Sequence, residues 1–146
     1  MKKNQGFTLI ELLVVIAVIG LLAAIVLVSL GGARQKARDA RRQADLRQVA
    51  TAMELYYPDN GEKYLSTTGG ANAVTAIPNY MPTAPKDPLD VSPQQYTWAA
   101  NTTDQQKYCL YTKLEAVTNI YVCSSERGTL SKVYASGGPA LNACCY

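Results

Sequence analysis

The sequence predicts an α+β fold in which one long N-terminal helix packs on a small antiparallel β-sheet. An unbroken apolar run dominates residues 7–30, which is typical of a single hydrophobic helix. A helical period continues through residues 31–57 and stops at the turn-forming sequence PDNG, residues 58–61. Short stretches rich in aromatic and β-branched residues follow in the C-terminal part of the chain, and these favour strands.

The N-terminal helix follows a short basic leader, residues 1–6. Between Glu11 and the end of the apolar run, only Ser29 carries a polar side chain. The run is long enough to cross about 30 Å of hydrocarbon and too long for the core of an ordinary signal peptide. We therefore predict a membrane-spanning helix over residues 7–30. Glu11 is the exception to its apolar character, and a carboxylate beside a membrane span is expected to have a partner.

The segment 31–57 is predicted to be an amphipathic helix. Alanines recur at the helical spacing i, i+4, i+7, i+11 from Ala33 to Ala44, and larger apolar residues continue a similar stripe to Tyr57. We expect this stripe to pack on the sheet. The basic residues lie mostly off the stripe, where they can contact anionic headgroups or acids of a neighbour: Arg34, Lys36, Arg38, Arg41 and Arg42.

The remainder of the chain is predicted to be a loop region followed by the sheet. Proline forbids a long regular element, and five prolines between residues 78 and 93 make the segment 58–100 a proline-rich loop. The segment 101–146 is expected to hold most of the β-sheet and a disulfide-stapled C-terminal region. Strand patterns occur at residues 95–99, 107–114 and 119–124.

Four cysteines all lie in the C-terminal third: Cys109, Cys123, Cys144 and Cys145. An even number in a small membrane-tethered domain predicts an oxidising compartment and two disulfides. Free buried thiols are the main alternative, and the irregular spacing disfavours a four-cysteine zinc site. If the last two predicted strands form a hairpin that turns near Ala116, Cys109 lies opposite Cys123 and a disulfide between them is possible. Cys144 and Cys145 would then bond to each other or to another partner.

Composition excludes several classes of function. The chain has no histidine, which removes imidazole acid–base catalysis and histidine-ligated zinc. It has no glycine-rich phosphate loop, and its formal net charge of +3 does not suggest nucleic-acid binding. Asp87, Asp90 and Asp104 offer the oxygen ligands that calcium prefers, but their spacing matches no tight calcium loop, so we interpret them as surface loop acids. The sequence therefore predicts no enzymatic activity, no cofactor and no metal site.

The N-terminal sequence shows a specific resemblance to a known family. Residues 6–11, GFTLIE, follow the basic leader and lead into the apolar helix, a pattern that resembles the class III signal of type IV prepilins and type II secretion pseudopilins. The helix end at residues 55–61, LYYPDNG, looks like that of pseudopilin-like proteins. The chain departs from the pattern at Val28, where many members of the family have a proline.

The resemblance implies roles for three residues. Gly6 matches the residue before the prepilin peptidase cut, and Phe7 matches the new N-terminal residue, which the same enzyme N-methylates. Glu11 matches the acidic residue that pairs with the N-terminal amine of a neighbouring subunit during assembly. Cleavage creates an α-amino group that is largely cationic at neutral pH, and opposite charges attract strongly in a low-dielectric helix bundle. The other interpretation of Glu11 is a carboxylate that snorkels at the start of an ordinary anchor.

From the resemblance we expect a structural subunit that polymerises into a type IV pilus-like filament after cleavage and N-methylation. A pseudopilin of a type II secretion system is one alternative, and a membrane-anchored binding domain that does not polymerise is the alternative from another class. The implied partners are identical or related pilin subunits, the prepilin peptidase and N-methyltransferase, a pilus or secretion assembly platform and the inner membrane.

The expected location follows from the same resemblance. The precursor is expected in the cytoplasmic membrane with its C-terminal domain outside, and the mature subunit in an extracellular pilus or a periplasmic pseudopilus. The count of basic residues opposes this topology, because more of them follow the span than precede it. The cysteines favour an oxidising exterior, and we give them more weight.

Overall fold

The structure, a computed structural model, describes residues 7–133, 138–140 and 143–144. The chain divides into two compact units, residues 1–35 and residues 36–146. One long helix, α1 (Leu9–Asp59), contributes residues to both units.

The first unit consists, in its described part, of the apolar portion of α1. Every described side chain up to residue 35 is exposed, and an 18-residue window of α1 has a mean hydropathy of 3.2. Among the described residues, α1 is the one helix long and apolar enough to cross a membrane. Such a surface is unfavourable in water, so this part of α1 needs lipid or other apolar helices around it.

The second unit contains an antiparallel sheet in which each strand pairs with the next one along the chain. Its strands, within the described residues, are β1 (Gly70–Ala71), β2 (Thr97–Trp98), β3 (Cys109–Lys113), β4 (Ile120–Ser125) and β5 (Gly128–Val133). The strands predicted from the sequence correspond to β2, β3 and β4, whereas β1 and β5 were not predicted. A long helix with an antiparallel sheet confirms the predicted α+β class.

The two faces of the sheet are covered differently. Side chains alternate across a strand, so Leu110 and Val122 belong to the core that α1 also enters, while Cys109 and Cys123 point away from it. The core residues of α1 are Leu46, Val49, Ala52 and Met53. On the opposite face, Cys109 and Cys123 form a second buried cluster with Cys144 from the C-terminal segment.

The register of the β3–β4 hairpin corrects the predicted disulfide. Cys109 lies opposite Ser125, and Cys123 lies opposite Tyr111, because the connecting loop centres on Val117 and not on Ala116. A turn displaced by one residue moves every cross-strand partner by two. The Cys109–Cys123 pairing considered from the sequence is therefore wrong, and Cys109 is bonded to Cys144.

The predicted apolar stripe of α1 is buried at its larger residues, Leu46, Val49 and Met53, but not at its alanines. The alanines expected to pack on the sheet are exposed: Ala37, Ala40 and Ala44. Three charged residues are buried instead: Asp39, Arg42 and Asp45. Helical spacing alone could not predict this, because burying these charges depends on partners from distant parts of the chain. Arg42 binds Asp87 and Glu115, Asp39 accepts hydrogen bonds from the β3–β4 loop, and Asp45 accepts one from Tyr96.

Candidate assembly site

The start of α1 is a reciprocal hydrogen-bonded cap. Helices leave their first N–H groups without internal partners. Here the backbone N–H of Thr8 donates to Glu11 Oε2 at 2.8 Å, and the backbone N–H of Glu11 donates to Thr8 Oγ1 at 3.3 Å. The Thr8 hydroxyl also donates to Glu11 Oε2 at 2.7 Å. This is a capping box, in which a threonine at the N-cap and a glutamate three residues later satisfy each other's backbone.

The cap explains how a carboxylate is accommodated at this end of the helix. Glu11 has local partners in its own chain, and its negative charge lies in the first turn, where the helix dipole favours it. Glu11 was predicted from the sequence to have a partner, whereas Thr8 was not predicted, although the spacing T-x-x-E at residues 8–11 is the known signal of a capping box. The structure therefore adds Thr8 as the residue that positions the Glu11 carboxylate.

Phe7 and Glu11 lie on the same side of α1, where both border a shallow apolar groove with Ile10, Val14 and Val15. Phe7 is 93% exposed, so its ring has no cover within the described residues. Gly6, the residue predicted to precede the cleavage, lies outside the described residues. The helix thus presents an aromatic side chain and a carboxylate, one turn apart, at the start of a long apolar surface.

A second polar centre lies in the core of the unit formed by residues 36–146. The side chain of Arg42 is fully buried. Its guanidinium donates to both oxygens of Asp87, at 2.5 and 2.9 Å, and to Asp39 at 2.7 Å. It also lies 2.6 Å from the carboxylate of Glu115. Three carboxylates from α1, the proline-rich loop and the β3–β4 loop therefore share one cation.

The same network fixes the loop between β3 and β4. Asp39 accepts hydrogen bonds from the backbone N–H groups of Glu115 and Ala116, at 3.0 and 2.8 Å respectively. Arg38 forms a bidentate pair with Glu115, at 2.9 and 2.5 Å. Charge-assisted and bidentate pairs of this kind are the strong ones. The loop is thus held to α1 by both its backbone and its side chains.

The electrostatics of this network keep Glu115 and Arg42 charged. The hydrogen bond from Arg38, together with that from Arg42 and the charges of both, lowers the pKa of Glu115 to about 2, although partial burial opposes the shift. Burial lowers the pKa of Arg42, but its hydrogen bonds with Asp87, Glu115 and Asp39 outweigh this effect and raise the pKa above its ordinary value. Arg42 therefore supplies the positive charge that these buried acids require.

The three acids weighed as calcium ligands do not come together. Asp87, interpreted from the sequence as a surface acid, is 4% exposed and binds Arg42, so that interpretation was wrong for this residue. Asp90 accepts hydrogen bonds from Asn72 and Gln95, and Asp104 pairs with Lys107. No group of three or more potential metal-binding side chains occurs in the part of the chain that the structure describes.

The described cysteine candidates belong to the unit formed by residues 36–146. Cys109 and Cys144 form a disulfide whose Cα atoms are 5.7 Å apart. Cys123 is disulfide-bonded as well, and Cys145 lies outside the described residues. The bond ties the C-terminal segment to β3 and gives this small unit a covalent staple.

Comparisons with known proteins match these features. Residues 1–27 match the family model of the prokaryotic N-terminal methylation motif. The type II secretion system core protein G of Vibrio cholerae is 32% identical over 99 residues, which cover 60% of this chain and 67% of that protein. The core protein G of Pectobacterium carotovorum is 34% identical over 88 residues, 60% of this chain and 56% of that protein.

A pilin is similar over a longer part of the chain. The type IV wide pilus major component PilA4 of Thermus thermophilus is 29% identical over 128 residues, which cover 88% of this chain and 87% of that protein. With the core protein G of Pectobacterium carotovorum, by contrast, the similarity spans little more than half of the relative's length. No solved structure matches the chain.

Proposed function

The chain belongs to the family of type IV pilins and type II secretion pseudopilins, and we propose that it is a structural subunit that polymerises into a filament through α1. The observation that carries the proposal is the combination at the start of α1. The part of α1 up to residue 35, whose side chains are all exposed, carries a carboxylate, Glu11, in its first turn, beside the motif for cleavage and N-methylation. In a filament, the exposed apolar surface leaves the membrane and packs against the same surface of other subunits.

We further propose that cleavage occurs after Gly6 and that Phe7 becomes the N-methylated first residue. Because the N-cap is Thr8, the new α-amino group would lie on the residue just before the N-cap of α1. A neighbouring subunit displaced along the filament axis can place this cation against Glu11, so that neither charge remains unpaired in an apolar bundle. The capping box holds the carboxylate in place until that partner arrives.

The topology we propose places residues 36–146 outside the cytoplasmic membrane. The Cys109–Cys144 disulfide supports an oxidising exterior. The opposing count of basic residues loses weight, because Arg38 and Arg42 are paired with acids of the folded unit. The prepilin peptidase would then act on the leader at the cytoplasmic side, and an assembly platform would extract the mature subunit.

Two assemblies fit this proposal, and different observations favour each. The similarity to PilA4 along most of the chain favours a pilus. The similarity to core protein G of several bacteria favours a type II secretion pseudopilus. Both use the same polymerising helix, so the proposed chemistry at Gly6, Phe7 and Glu11 is common to them.

The test is mass spectrometry of the intact chain and of its N-terminal peptide, with protein taken from the cells that make it. We expect the mature chain to begin at N-methylated Phe7. A chain that still begins at Met1 in mature membranes would contradict the proposal and favour an anchored binding domain that does not polymerise.

A further inference from the structure

The unit formed by residues 36–146 carries a preformed groove beside the β3–β4 loop. The groove has a volume of about 290 Å³. Its walls are formed by four residues of α1 and three of the loop: Lys36, Asp39, Ala40, Gln43, Leu114, Ala116 and Val117. Asp39 is buried and bound to Arg42, so Lys36 is the exposed charged residue of the groove. Val117 is 48% exposed. The loop is held to α1 by Asp39 and Arg38, so the groove exists before any partner binds and costs little ordering on binding.

The C-terminal end of α1 carries exposed negative charge. Three exposed acidic residues lie within nine positions: Glu54, Asp59 and Glu62. Leu55, next to Glu54, is 52% exposed. The last turn of α1 contains no basic residue, so the negative end of the helix dipole adds to these carboxylates. Even with the positive charge of Lys63, this end of the helix remains acidic.

The exposed charges beside the groove have the opposite sign. Lys36 lies on its rim, and Arg41 and Arg47 are exposed on the same part of α1. The acids of this part of the helix, Asp39 and Asp45, are buried. Asp45 lies 3.7 Å from Arg41 and offsets part of its charge, so the positive charge beside the groove comes mainly from Lys36 and Arg47. One subunit thus carries both an apolar groove with Lys36 on its rim and, near the end of α1, the exposed side chain of Leu55 among acidic residues.

We propose that the groove of one subunit receives the end of α1 from a second copy of this chain, with Leu55 against Val117 and the acids beside Lys36. One subunit cannot fill its own groove in this way, because residues 40 and 55 are about 22 Å apart along the helix. The contact joins two different patches and is therefore heterologous, the kind that produces open filaments rather than closed dimers. The inference rests on the proposed function, which supplies the second copy.

The primary test is photo-crosslinking in the full-length chain, in cells that assemble it. A benzophenone amino acid replaces Val117, and crosslinked dimers are digested and analysed by mass spectrometry. We expect the probe to join the peptide that contains residues 54–62 of a second copy. The matched control places the probe at Val91, which is 54% exposed and lies outside the groove. Crosslinks from Val117 to other segments, or the same product from both positions, would overturn the inference.

A charge exchange tests the polar part of the contact. Exposed ion pairs are each worth a few tenths to one kcal/mol, so Lys36→Glu is expected to reduce the Val117 crosslink by roughly two- to fivefold. Combining Lys36→Glu with Glu62→Lys is expected to restore much of the yield. Lys86→Glu serves as a control at an exposed lysine that does not line the groove. Equal crosslink yields in all three variants would show that charge complementarity plays no part and would contradict the proposed contact between Lys36 and the acids of the second copy.

A second probe separates this inference from the proposed function. Placed at Val14, on the apolar part of α1, it reports polymerisation through the helix alone, and electron microscopy reports filaments. Filaments with Val14 crosslinks and without the Val117 product would leave the function standing and reject the groove contact. Absence of both products and of filaments would reject both.

Discussion

Arg42 is a charged residue that has become part of the protein core. Its side chain is fully buried, and its guanidinium contacts Asp39, Asp87 and Glu115. A buried charge is tolerated only when it is paired and hydrogen-bonded. Removing one partner from such a network leaves the others uncompensated, which costs more than the network itself contributes. Arg42 therefore determines whether the proline-rich loop and the β3–β4 loop stay on α1.

Replacing Arg42 by methionine is expected to destabilise the unit by about 3–5 kcal/mol. Methionine keeps much of the side-chain volume and removes the charge. Urea unfolding of the detergent-solubilised chain, followed by the fluorescence of Trp98, measures the change, because Trp98 is the single tryptophan and is buried. The control is Arg47→Ala, at an exposed position of the same helix, with an expected effect within about 0.5 kcal/mol. Similar effects of the two substitutions would contradict this role of Arg42.

Glu115 makes the stability of the unit depend on pH. Its pKa is about 2 in the folded protein, against an ordinary value of 4.5. A lowered folded-state pKa means that the contribution is complete above pH 5 and is lost as the pH falls towards 2. We expect the urea midpoint to decrease over this range, and Glu115→Gln to be less stable at pH 7 with a flatter profile. Glu62→Gln, at an exposed carboxylate outside the network, should keep the wild-type profile. A Glu115→Gln profile as steep as the wild type would contradict this assignment.

Residues in local motifs were easier to predict than residues in long-range networks. Glu11 and Phe7 can be recognised because the residues next to them form a known motif, and Thr8 could have been recognised in the same way. The role of Asp87 was not, because its partner Arg42 is 45 positions away. Glu115 and Arg38 are 77 positions apart. Pairs at such separations depend on the fold, and a single sequence does not contain the distance between them.

At the scale of elements, hydrophobic pattern predicted the type of most segments but not their orientation. The apolar run and the strand patterns gave α1, β2, β3 and β4 correctly. The alanine stripe was assigned to the wrong face of α1, because small side chains carry little hydrophobic driving force and are tolerated on either side. The larger residues Leu46, Val49 and Met53 identify the buried face correctly.

The β3–β4 hairpin and the C-terminal segment are joined by a bond that loop lengths alone did not reveal. Cys109 and Cys144 are separated by 35 positions, and closing a loop of that size stabilises a protein by about 3–4 kcal/mol in the chain-entropy model. Gly138 lies so close to the ring of Tyr111 that a Cβ atom would clash with it. The C-terminal segment therefore packs against the sheet beside the bond.

Replacing both cysteines by alanine, Cys109→Ala with Cys144→Ala, is expected to lower the free energy of unfolding by about 3–4 kcal/mol. The double substitution avoids a free thiol that could exchange with the second disulfide. Urea unfolding without reductant measures the effect, and the wild-type chain in dithiothreitol should be destabilised at least as much. A loss below about 1 kcal/mol would show that packing, rather than the bond, holds the C-terminal segment.

At the scale of the whole molecule, the two units have opposite requirements. Residues 36–146 enclose their own core and satisfy their buried charges. Residues 7–35 bury nothing within the chain. The exposed part of α1, residues 9–35, is therefore stable only in an apolar environment. Lipid supplies this environment first, and in the proposed filament the helices of other subunits supply it. This contrast was predictable from the sequence, since hydropathy along the chain changes abruptly near residue 31.

The role of Glu11 in that assembly can be separated from its role in the capping box by Glu11→Gln. Glutamine keeps a side-chain oxygen that accepts the hydrogen bonds from Thr8, so it preserves the start of α1, but it removes the charge that would attract the amine of a neighbour. We expect normal cleavage after Gly6, accumulation of the mature chain in the membrane and a loss of filaments of at least about tenfold. Asp104→Asn, a carboxylate removed from the second unit, should assemble normally. Quantitative electron microscopy and the sheared-filament yield measure the outcome. Wild-type filament levels with Glu11→Gln would mean that Glu11 only caps the helix, and the charge-pairing mechanism would have to be abandoned.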